Sequence, residues 1–561
     1  MKHFSILLTL FLISHLNGVS QEIQKTNSSS GDLSIIITKK YLNIPVSQNI
    51  NREKMSFEVG GKTELEFVIR LASSEPDYWV FYDVTAFNGK RLTIKYAGSK
   101  EGLKKIYQDD EIFGQDSLYK EETRPQIHFT TRRGWINDPN GMIYYDGEYH
   151  LFYQHNPFES EWENMSWGHA VSKDLLHWKE LPVAMYPDKL GTIFSGTTVI
   201  DYNNTSGFGK NGVPPMVAIY TTYNPDNQIQ CISYSLDKGR TFTKYKGNPV
   251  IDSKSKWNSQ DLRDPQVFWH QPTKKWVMTL FERDGNSIYT SNNLKDWNYE
   301  SHTTGFWECP QFFELPVDGD KNNKKWVMYG ATGTYMIGTF DGKKFKPESG
   351  KYYYGNGALY AAQTFYNMPA SDDRRIQIGW GRIPVGGKSF NNLMLLPTEL
   401  TLRTTKDGVR MFNAPIKEID KLQENKYVFE GFEADEASKF LQQFKNLESI
   451  RIKTTIKLSH ATDAGLNLNG QNLFKYDMNS NIINGLFYSP EDMTSMEITA
   501  DIIIDKTSIE VFIDGGAFSY AIKRDIDTKN DEGFHFFGNR IDIKNLEVYP
   551  MKSIWKDYKS N

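Results

Sequence analysis

This sequence of 561 residues has few cysteines and no large excess of charge of either sign. Its two cysteines, Cys231 and Cys309, cannot build a disulfide framework or a cysteine-based zinc site. The 65 basic and 69 acidic residues leave a formal net charge of −4, which argues against a nucleic-acid-binding protein. The histidines show no metal-ligand spacing. We therefore predict no metal and no other cofactor.

Aromatic residues are abundant by contrast. They make up 14% of the chain, which favours β-strands and flat surfaces for stacking. The same composition excludes a disordered or coiled-coil protein. At about 150 residues per domain, the length corresponds to three or four domains.

Residues 1–20 have the pattern of a secretory signal peptide. Lys2 and His3 precede an apolar run over residues 4–16, and small residues follow at 18–20. The run is shorter than the roughly 20 apolar residues of a membrane-spanning helix. A buried N-terminal helix is the alternative. No cysteine stands near the cleavage point to carry a lipid anchor, so we expect export to the periplasm or the cell exterior without membrane attachment after cleavage.

Residues 33–118 are predicted to form a small accessory β-sandwich. Leu65, Phe67 and Ile69 alternate with polar neighbours, which is the period of a strand with one solvated face. Asn88 and Gly89 separate two further apolar stretches and predict a hairpin between residues 78–87 and 91–96. The segment carries no cluster of candidate catalytic groups, so its role is predicted to be accessory.

A loose repeat occupies residues 125–420. Strand-like segments that open on a turn begin at residues 138, 195, 264, 308 and 361. A period near 50 residues, filled with short strands and Gly or Asp turns, predicts a β-propeller with one blade per repeat. A second all-β region follows over residues 427–556.

The repeats place acidic residues at equivalent points. Asp138, Asp264 and Glu308 open three of the copies, and the inner strands of a propeller converge on its axis. Each motif alone is also explained as the start of a strand. Three carboxylates in one pocket repel one another, so their common register favours a functional site.

These motifs resemble glycoside hydrolase family 32, which contains the invertases, inulinases and levanases that act on β-fructofuranosides. The resemblance rests on Trp-Ile-Asn-Asp-Pro-Asn-Gly at 135–141, Phe-Tyr-Gln at 152–154, Trp-Gly-His at 167–169, Phe-Ser-Gly at 194–196, Arg-Asp-Pro at 263–265 and Glu-Cys at 308–309. It covers about residues 127–556 and implies a five-bladed β-propeller followed by a C-terminal β-sandwich. Together with the accessory domain, the expected fold is all-β.

The resemblance also implies roles for individual residues. Asp138 matches the nucleophile, Asp264 the transition-state stabiliser and Glu308 the acid/base of the family. The terminal-fructose site is implied to include Asn137, Gln154, Trp162, Phe194, Ser195, Arg263 and Trp380. One departure is Glu163, where members commonly carry a glycine after the tryptophan.

The chemistry of these residue types agrees with the roles. Retaining hydrolysis needs one ionised carboxylate to attack and one protonated carboxyl to donate, about 5–5.5 Å apart. We expect apolar neighbours to raise the pKa of Glu308 and amide donors to keep Asp138 ionised. Arg263 is expected to neutralise Asp264. On a regular strand Cys309 would point away from Glu308, so we expect it to be buried inside the blade.

The sequence therefore predicts an exported fructan hydrolase that releases terminal fructose from levan, inulin and fructo-oligosaccharides, with sucrose as a further candidate substrate. The alternatives are an endo-acting levanase, a non-catalytic fructan-binding propeller and a propeller hydrolase that acts on arabinans. No nucleic-acid partner is expected. The residues do not separate β2,1 from β2,6 linkages, and they do not give the oligomeric state.

Overall fold

The structure is a computed structural model that describes residues 31–252, 260–386, 388–459, 461–487, 496–525 and 531–555. The predicted signal peptide lies outside these residues. Within them, the regular structure is almost entirely β, with one α-helix, α1 (Ala434–Leu441). No helix of this described part has the length and apolar content needed to cross a membrane. The strands are accompanied by short 3₁₀ turns at Thr85–Phe87, Lys100–Lys105, Gln115–Ser117, Lys417–Leu422, Gln442–Phe444 and Asp514–Gly516.

The N-terminal part forms two sheets around one apolar core. Its strands are β1 (Leu33–Ile36), β2 (Tyr41–Val46), β3 (Glu53–Val59), β4 (Lys62–Ile69), β5 (Tyr78–Asp83), β6 (Arg91–Tyr96) and β7 (Tyr107–Asp109). One sheet has the order β1-β6-β3-β4 and the other β5-β2-β7. Leu65, Phe67 and Ile69 are buried in the core between them, as their alternation predicts. We call this unit the N-terminal sandwich.

The hairpin predicted at Asn88-Gly89 is wrong. The chain does turn there, with Gly89 in the left-handed region at φ 75°. However, β5 pairs with β2 in one sheet, whereas β6 pairs with β1 and β3 in the other. The turn therefore carries the chain between sheets, because each strand buries more apolar surface against its own sheet than it would as half of an isolated hairpin.

Five successive groups of strands follow, and the strands within each group pair antiparallel. The fourth and fifth groups are joined in one nine-stranded sheet. The first contains β8 (Gly134–Tyr145), β9 (Glu148–Asn156), β10 (Ser166–Ser172) and β11 (Trp178–Glu180), and the second β12 (Thr192–Ile200), β13 (Met216–Asn224), β14 (Asn227–Ser235), β15 (Thr243–Lys244) and β16 (Ile251–Asp252). The third contains β17 (Leu262–His270), β18 (Lys275–Glu282), β19 (Gly285–Ser291) and β20 (Trp297–Thr304), and the fourth β21 (Gln311–Val317), β22 (Asp320–Tyr329), β23 (Thr334–Phe340) and β24 (Phe345–Tyr353).

The fifth group is built around β26 (Leu359–Thr364), β27 (Arg375–Gly381), β30 (Thr398–Thr405) and β31 (Gly408–Pro415). Three short strands, β25 (Gly355–Gly357), β28 (Phe390–Asn391) and β29 (Leu393–Met394), lie beside it in the chain. β28 pairs parallel with β8 of the first group. The segment between β27 and β30 therefore returns to the first sheet.

The inner strands β8, β12, β17, β21 and β26 begin at the predicted repeats. Hydrogen bonds join neighbouring groups in turn: Thr198 Oγ1 to Gly141 O (2.6 Å), Asp264 N to Thr221 Oγ1 (2.8 Å), Gln266 Nε2 to Phe312 O (3.1 Å), Thr364 N to Gln311 Oε1 (2.9 Å) and Tyr366 N to Met142 O (3.1 Å). The starts of distant repeats are thereby brought together.

The C-terminal region is a second sandwich. Its strands are β32 (Tyr427–Val428), β33 (Ile450–Leu458), β34 (Asp463–Leu468), β35 (Gln471–Asp477), β36 (Ile482–Ile483), β37 (Leu486–Phe487), β38 (Glu497–Ile504), β39 (Ser508–Ile513), β40 (Phe518–Lys523), β41 (Phe534–Gly538) and β42 (Ile541–Pro550). They form sheets of order β25-β40-β39-β38-β33-β42-β32 and β37-β36-β35-β34-β41. Alternating apolar residues from both sheets make its core.

A buried ionic cluster ties the β38–β39 hairpin to the segment that precedes β8. His128 Nδ1 lies 2.8 Å from Asp505 Oδ2, and its Nε2 lies 2.7 Å from Glu510 Oε1. Burial lowers the pKa of His128, but hydrogen bonds and charge from the two carboxylates outweigh it and raise that pKa to about 9. The imidazole is therefore charged at neutral pH and joins the C-terminal sandwich to the central region.

Candidate active site

A β-bulge occurs at the start of four of the five inner strands. In each case one extra residue separates two ladder pairs: between Ile136 and Pro139, Ile193 and Gly196, Arg263 and Gln266, and Tyr360 and Gln363. Bulges re-aim side chains that a regular strand would alternate. Asn137, Asp138, Phe194, Ser195 and Asp264 all lie within these bulges.

Asp138 lies at the centre of the predicted site and accepts hydrogen bonds on both oxygens. Ser195 Oγ donates to its Oδ2 over 2.7 Å, and Asn137 Nδ2 donates to its Oδ1 over 3.2 Å. Trp135 Nε1 in turn donates a hydrogen bond to Asn137 Oδ1 over 2.8 Å. Burial raises the pKa of Asp138, and the charge of Glu308 adds to that effect, whereas the Ser195 and Asn137 bonds lower it. The predicted amide donor is therefore present in Asn137, but its lowering of the Asp138 pKa is smaller than the increase caused by burial.

Asp264 is buried beside Asp138. It adopts the left-handed region at φ 63°, which is uncommon for a residue other than glycine. Burial and the negative charges of Glu308 and Asp138 raise the pKa of Asp264, and Arg263 only partly offsets them. The closest Arg263–Asp264 approach is 3.9 Å. Arg263 thus favours the ionised form of Asp264, as expected, but burial has the larger effect on its pKa.

Cys309 does not point away from the acids, so that prediction is wrong. Its thiol lies 3.5 Å from Asp138 Oδ2 and 3.6 Å from Asp264 Oδ2, and its backbone N–H donates to Asp264 Oδ2 over 3.1 Å. Glu308 and Cys309 both have positive φ, 47° and 42°, and stand before β21. The alternation of a strand does not apply there. Burial and the neighbouring carboxylates raise the pKa of the Cys309 thiol, which keeps it neutral.

Glu308 is held by a cation and a phenol, so the apolar flank expected around it is wrong. Arg263 donates to Glu308 Oε1 from Nη2 (2.8 Å) and from Nε (3.2 Å). Tyr360 donates from its hydroxyl to Glu308 Oε2 over 2.6 Å. Trp307 is 44% exposed and lies with its ring over Arg263, 5.4 Å away. Both carboxylate oxygens are therefore oriented by donors.

Aromatic rings line the space next to the acids. Trp380 lies between Trp135 and Tyr360, with ring centroids 6.1 and 6.0 Å away and edge-to-face geometry. On another side Phe194 stacks on a tyrosine, and Trp162 stands 6.3 Å from Phe194 with 46% of its surface exposed. Flat faces of this kind suit a sugar ring.

Gln154 completes the set of predicted residues. It lies on β9, is buried, and its Nε2 has no hydrogen-bond partner within the described residues. A buried donor of this kind is typical of a site that receives a polar ligand. Eight of the ten predicted residues thus lie on the bulged strand starts or on β9 and β27, whereas Trp162 lies in a loop and Glu308 in the turn before β21.

Sequence reasoning missed two contributors. Tyr360 reaches Glu308 from the fifth group, and the thiol of Cys309 bridges the two aspartates. The position of Tyr360, one residue before the repeat start at 361, could have pointed to it. Within the described residues, no group of three His, Cys, Asp or Glu side chains is arranged to hold a metal ion.

Comparison with known proteins agrees with this geometry. Residues 128–415 match the profile of the glycosyl hydrolases family 32 N-terminal domain. A levanase of Bacillus subtilis (strain 168) is 38% identical over 78% of this chain and 72% of its own length. The extracellular exo-inulinase inuE of Aspergillus niger is 34% identical over 74% of this chain and 91% of its own length.

A solved structure matches as well. The exo-inulinase from Aspergillus awamori superposes with a TM-score of 0.67 at 28% identity, covering 78% of this chain and all of that one. The predicted all-β class, with a five-bladed β-propeller followed by a β-sandwich, is confirmed. The predicted glycoside hydrolase activity of the β-fructosidase type is confirmed too. The chain belongs to glycosyl hydrolase family 32.

Proposed function

We propose that this enzyme is a retaining exo-β-fructosidase that releases terminal fructose from levan, inulin and fructo-oligosaccharides, and that it also cleaves sucrose. Levanase, exo-inulinase and invertase relatives support activity on fructans or sucrose. The observation that carries the finer proposal is the meeting of three acids around one thiol. Asp138 and Asp264 both lie within 3.6 Å of the Cys309 sulfur, and Glu308 directly precedes it.

The reaction proceeds in two steps. Asp138 attacks the anomeric carbon of the terminal fructose while Glu308 protonates the departing glycosidic oxygen, which leaves a fructosyl ester on Asp138. Glu308, now ionised, then removes a proton from water, and the resulting hydroxide equivalent attacks the same carbon and frees Asp138. Asp264 binds hydroxyls of the fructose ring and stabilises the positive charge that develops in both transition states.

The contacts of the Glu308 carboxyl group support its assignment as the acid/base. Arg263 and Tyr360 fix the Glu308 carboxyl group in one orientation. A fixed acid aligned with the leaving oxygen is what general acid catalysis requires.

The exo mode is supported by how the polar groups are distributed. Asn137, Ser195 and Asp264 lie on strand starts that converge, and the aromatic residues Trp135 and Trp380 stand beside them. A fructose ring held on all sides leaves no passage for a further sugar unit. An endo-acting levanase would need an open groove instead.

We further propose that the enzyme is exported by residues 1–20 and works in the periplasm or outside the cell. The extracellular relative supports this location. The domain division that we propose is 33–118 for the accessory domain, 125–420 for the propeller and 427–556 for the C-terminal sandwich. The substrate partners are fructans and fructo-oligosaccharides.

Products released over time from levan and inulin test the mode of attack. Fructose as the only early product is expected. An early ladder of oligosaccharides would instead establish the endo mode.

The variants Asp138→Asn and Glu308→Gln should lose nearly all turnover, whereas Glu314→Gln, which changes an exposed acid on β21, should keep it. If either site variant kept turnover within about tenfold of wild type, its activation free energy would have changed by only about 1.4 kcal/mol. This result would contradict the assigned roles.

A further inference from the structure

The loop between β9 and β10 carries Trp162 and is held by the N-terminal sandwich. This loop, residues 157–164, is called here the Trp162 loop. It starts three residues after Gln154, and the Trp162 ring stands beside Phe194 at the edge of the site. Its conformation therefore decides where the exposed indole face lies.

Two arginines of the N-terminal sandwich bind the acidic side chains of this loop. Glu159 is fully buried, and it accepts hydrogen bonds from Arg52 Nε (2.6 Å), Arg70 Nη1 (3.1 Å) and the Arg70 backbone N–H (2.8 Å). Glu161 Oε2 accepts one bond from each arginine, both at 2.9 Å. Hydrogen-bonded ion pairs at a buried carboxylate are among the stronger polar contacts in proteins.

Glu163 extends the same cluster. Its carboxylate lies 3.7 Å from Arg52 Nη1. Glu163 is thus a third acidic residue of the loop that approaches an arginine of the N-terminal sandwich.

Neutral contacts also join this loop to the N-terminal sandwich. The side-chain amide of Asn164 bonds both the N–H and the C=O of Val68, each at 2.9 Å, as a neighbouring strand would. Phe158 stacks on Phe67 with ring centroids 3.7 Å apart and belongs to the core of the N-terminal sandwich. Both ends of the Trp162 loop are thus fixed by strand β4 and its neighbours.

The geometry points to a function for the N-terminal sandwich: it is a positioning module that sets the Trp162 loop, and Arg52 and Arg70 are positioning residues for substrate binding. This inference rests on the proposed function. The ligand of the positioned indole is the sugar at the mouth of the site, which stacks on its exposed face. Stacking of this kind holds the substrate and the transition state alike, so its loss raises KM and leaves kcat nearly unchanged.

A double-mutant cycle on short fructo-oligosaccharides tests the proposal in the full-length enzyme. Trp162→Ala and Arg52→Met are each expected to raise KM about tenfold with kcat within about twofold of wild type. The double variant should be no worse than Trp162→Ala alone, because the arginine acts through the indole. Lys95→Met, which removes an ion pair to Glu58 elsewhere in the same sandwich, serves as the matched control and should leave KM unchanged.

A second variant separates positioning from simple loss of folding. Glu161→Gln removes only the negative charge that the two arginines share, at a side chain that is 48% exposed. It should also raise KM, while its thermal unfolding midpoint stays close to that of wild type. Unchanged KM in folded Arg52→Met and Glu161→Gln, or fully additive effects in the double variant, would overturn the inference. Wild type that releases no fructose would instead overturn the proposed function.

Discussion

Removing the hydroxyl of Ser195 is expected to impair Asp138, the proposed nucleophile, in a measurable and specific way. Ser195 Oγ donates to Asp138 Oδ2 at 2.7 Å, and this bond is one of the contacts that lower the pKa of Asp138 against its burial. A hydrogen bond to a charged group contributes about 1.5–3 kcal/mol. Ser195→Ala should therefore reduce kcat/KM by about 10-fold to 150-fold at neutral pH.

The same loss has a signature in the pH profile. Without the donor, the pKa of Asp138 rises further, so ionised Asp138 becomes available only at higher pH. The acid limb of kcat/KM against pH should move to higher pH. The assay is initial-rate fructose release from sucrose or a short fructan at a series of pH values.

Two control variants make this prediction specific. Ser195→Thr keeps a hydroxyl at the same place and should recover most of the activity. Ser233→Ala removes a buried hydroxyl that bonds Tyr220 inside the second sheet, away from the acids, and should leave the profile unchanged. An acid limb that stays in place in Ser195→Ala, with activity within about twofold of wild type, would refute the reasoning.

Two other predictions concern the buried histidine and the proposed acid. Because the pKa of His128 is raised to about 9 in the folded state, from an ordinary value near 6.5, the stability it supplies is fully present below pH 6.5 and is lost as pH rises through 9. By urea unfolding, wild type should lose about 3 kcal/mol more than His128→Gln between these values, and equal losses would contradict the charge assignment. Compared with wild type, Glu308→Ala should lose much less activity on a fructoside with a good leaving group than on sucrose, since such a group departs without a proton. An equal loss on both substrates would argue against Glu308 as the acid.

Much of the architecture could be predicted from the sequence because repeats and alternation are local patterns. The repeat starts at 138, 195, 264, 308 and 361 correspond to the five inner strands or the turns that open them. The alternation around Leu65 placed the right face in the core of the N-terminal sandwich. The hairpin at Asn88-Gly89 failed because a turn signal fixes the bend, whereas the partner of each strand depends on which sheet buries its apolar face.

The site was predictable in its membership but less so in its internal contacts. The family motifs named the acids, and the structure brings them together. The direction of Cys309 could not be predicted from strand alternation, because Glu308 and Cys309 have left-handed backbone and precede the strand. The pairing of Arg263 with Glu308 rather than Asp264 also escaped, since adjacent residues in sequence point to different neighbours at a bulge.

Direct identification of the covalent intermediate tests the central claim most sharply. Glu308→Ala incubated with a fructoside that has a good leaving group should form the fructosyl ester and break it down slowly, because the base for the second step is gone. Rapid quenching, proteolysis and mass spectrometry should then find one fructosyl group on the peptide that contains Asp138. The Asp138→Asn variant in the same background should give no adduct. A fructosyl group on any other residue, or leaving-group release with no adduct at any time, would contradict the account.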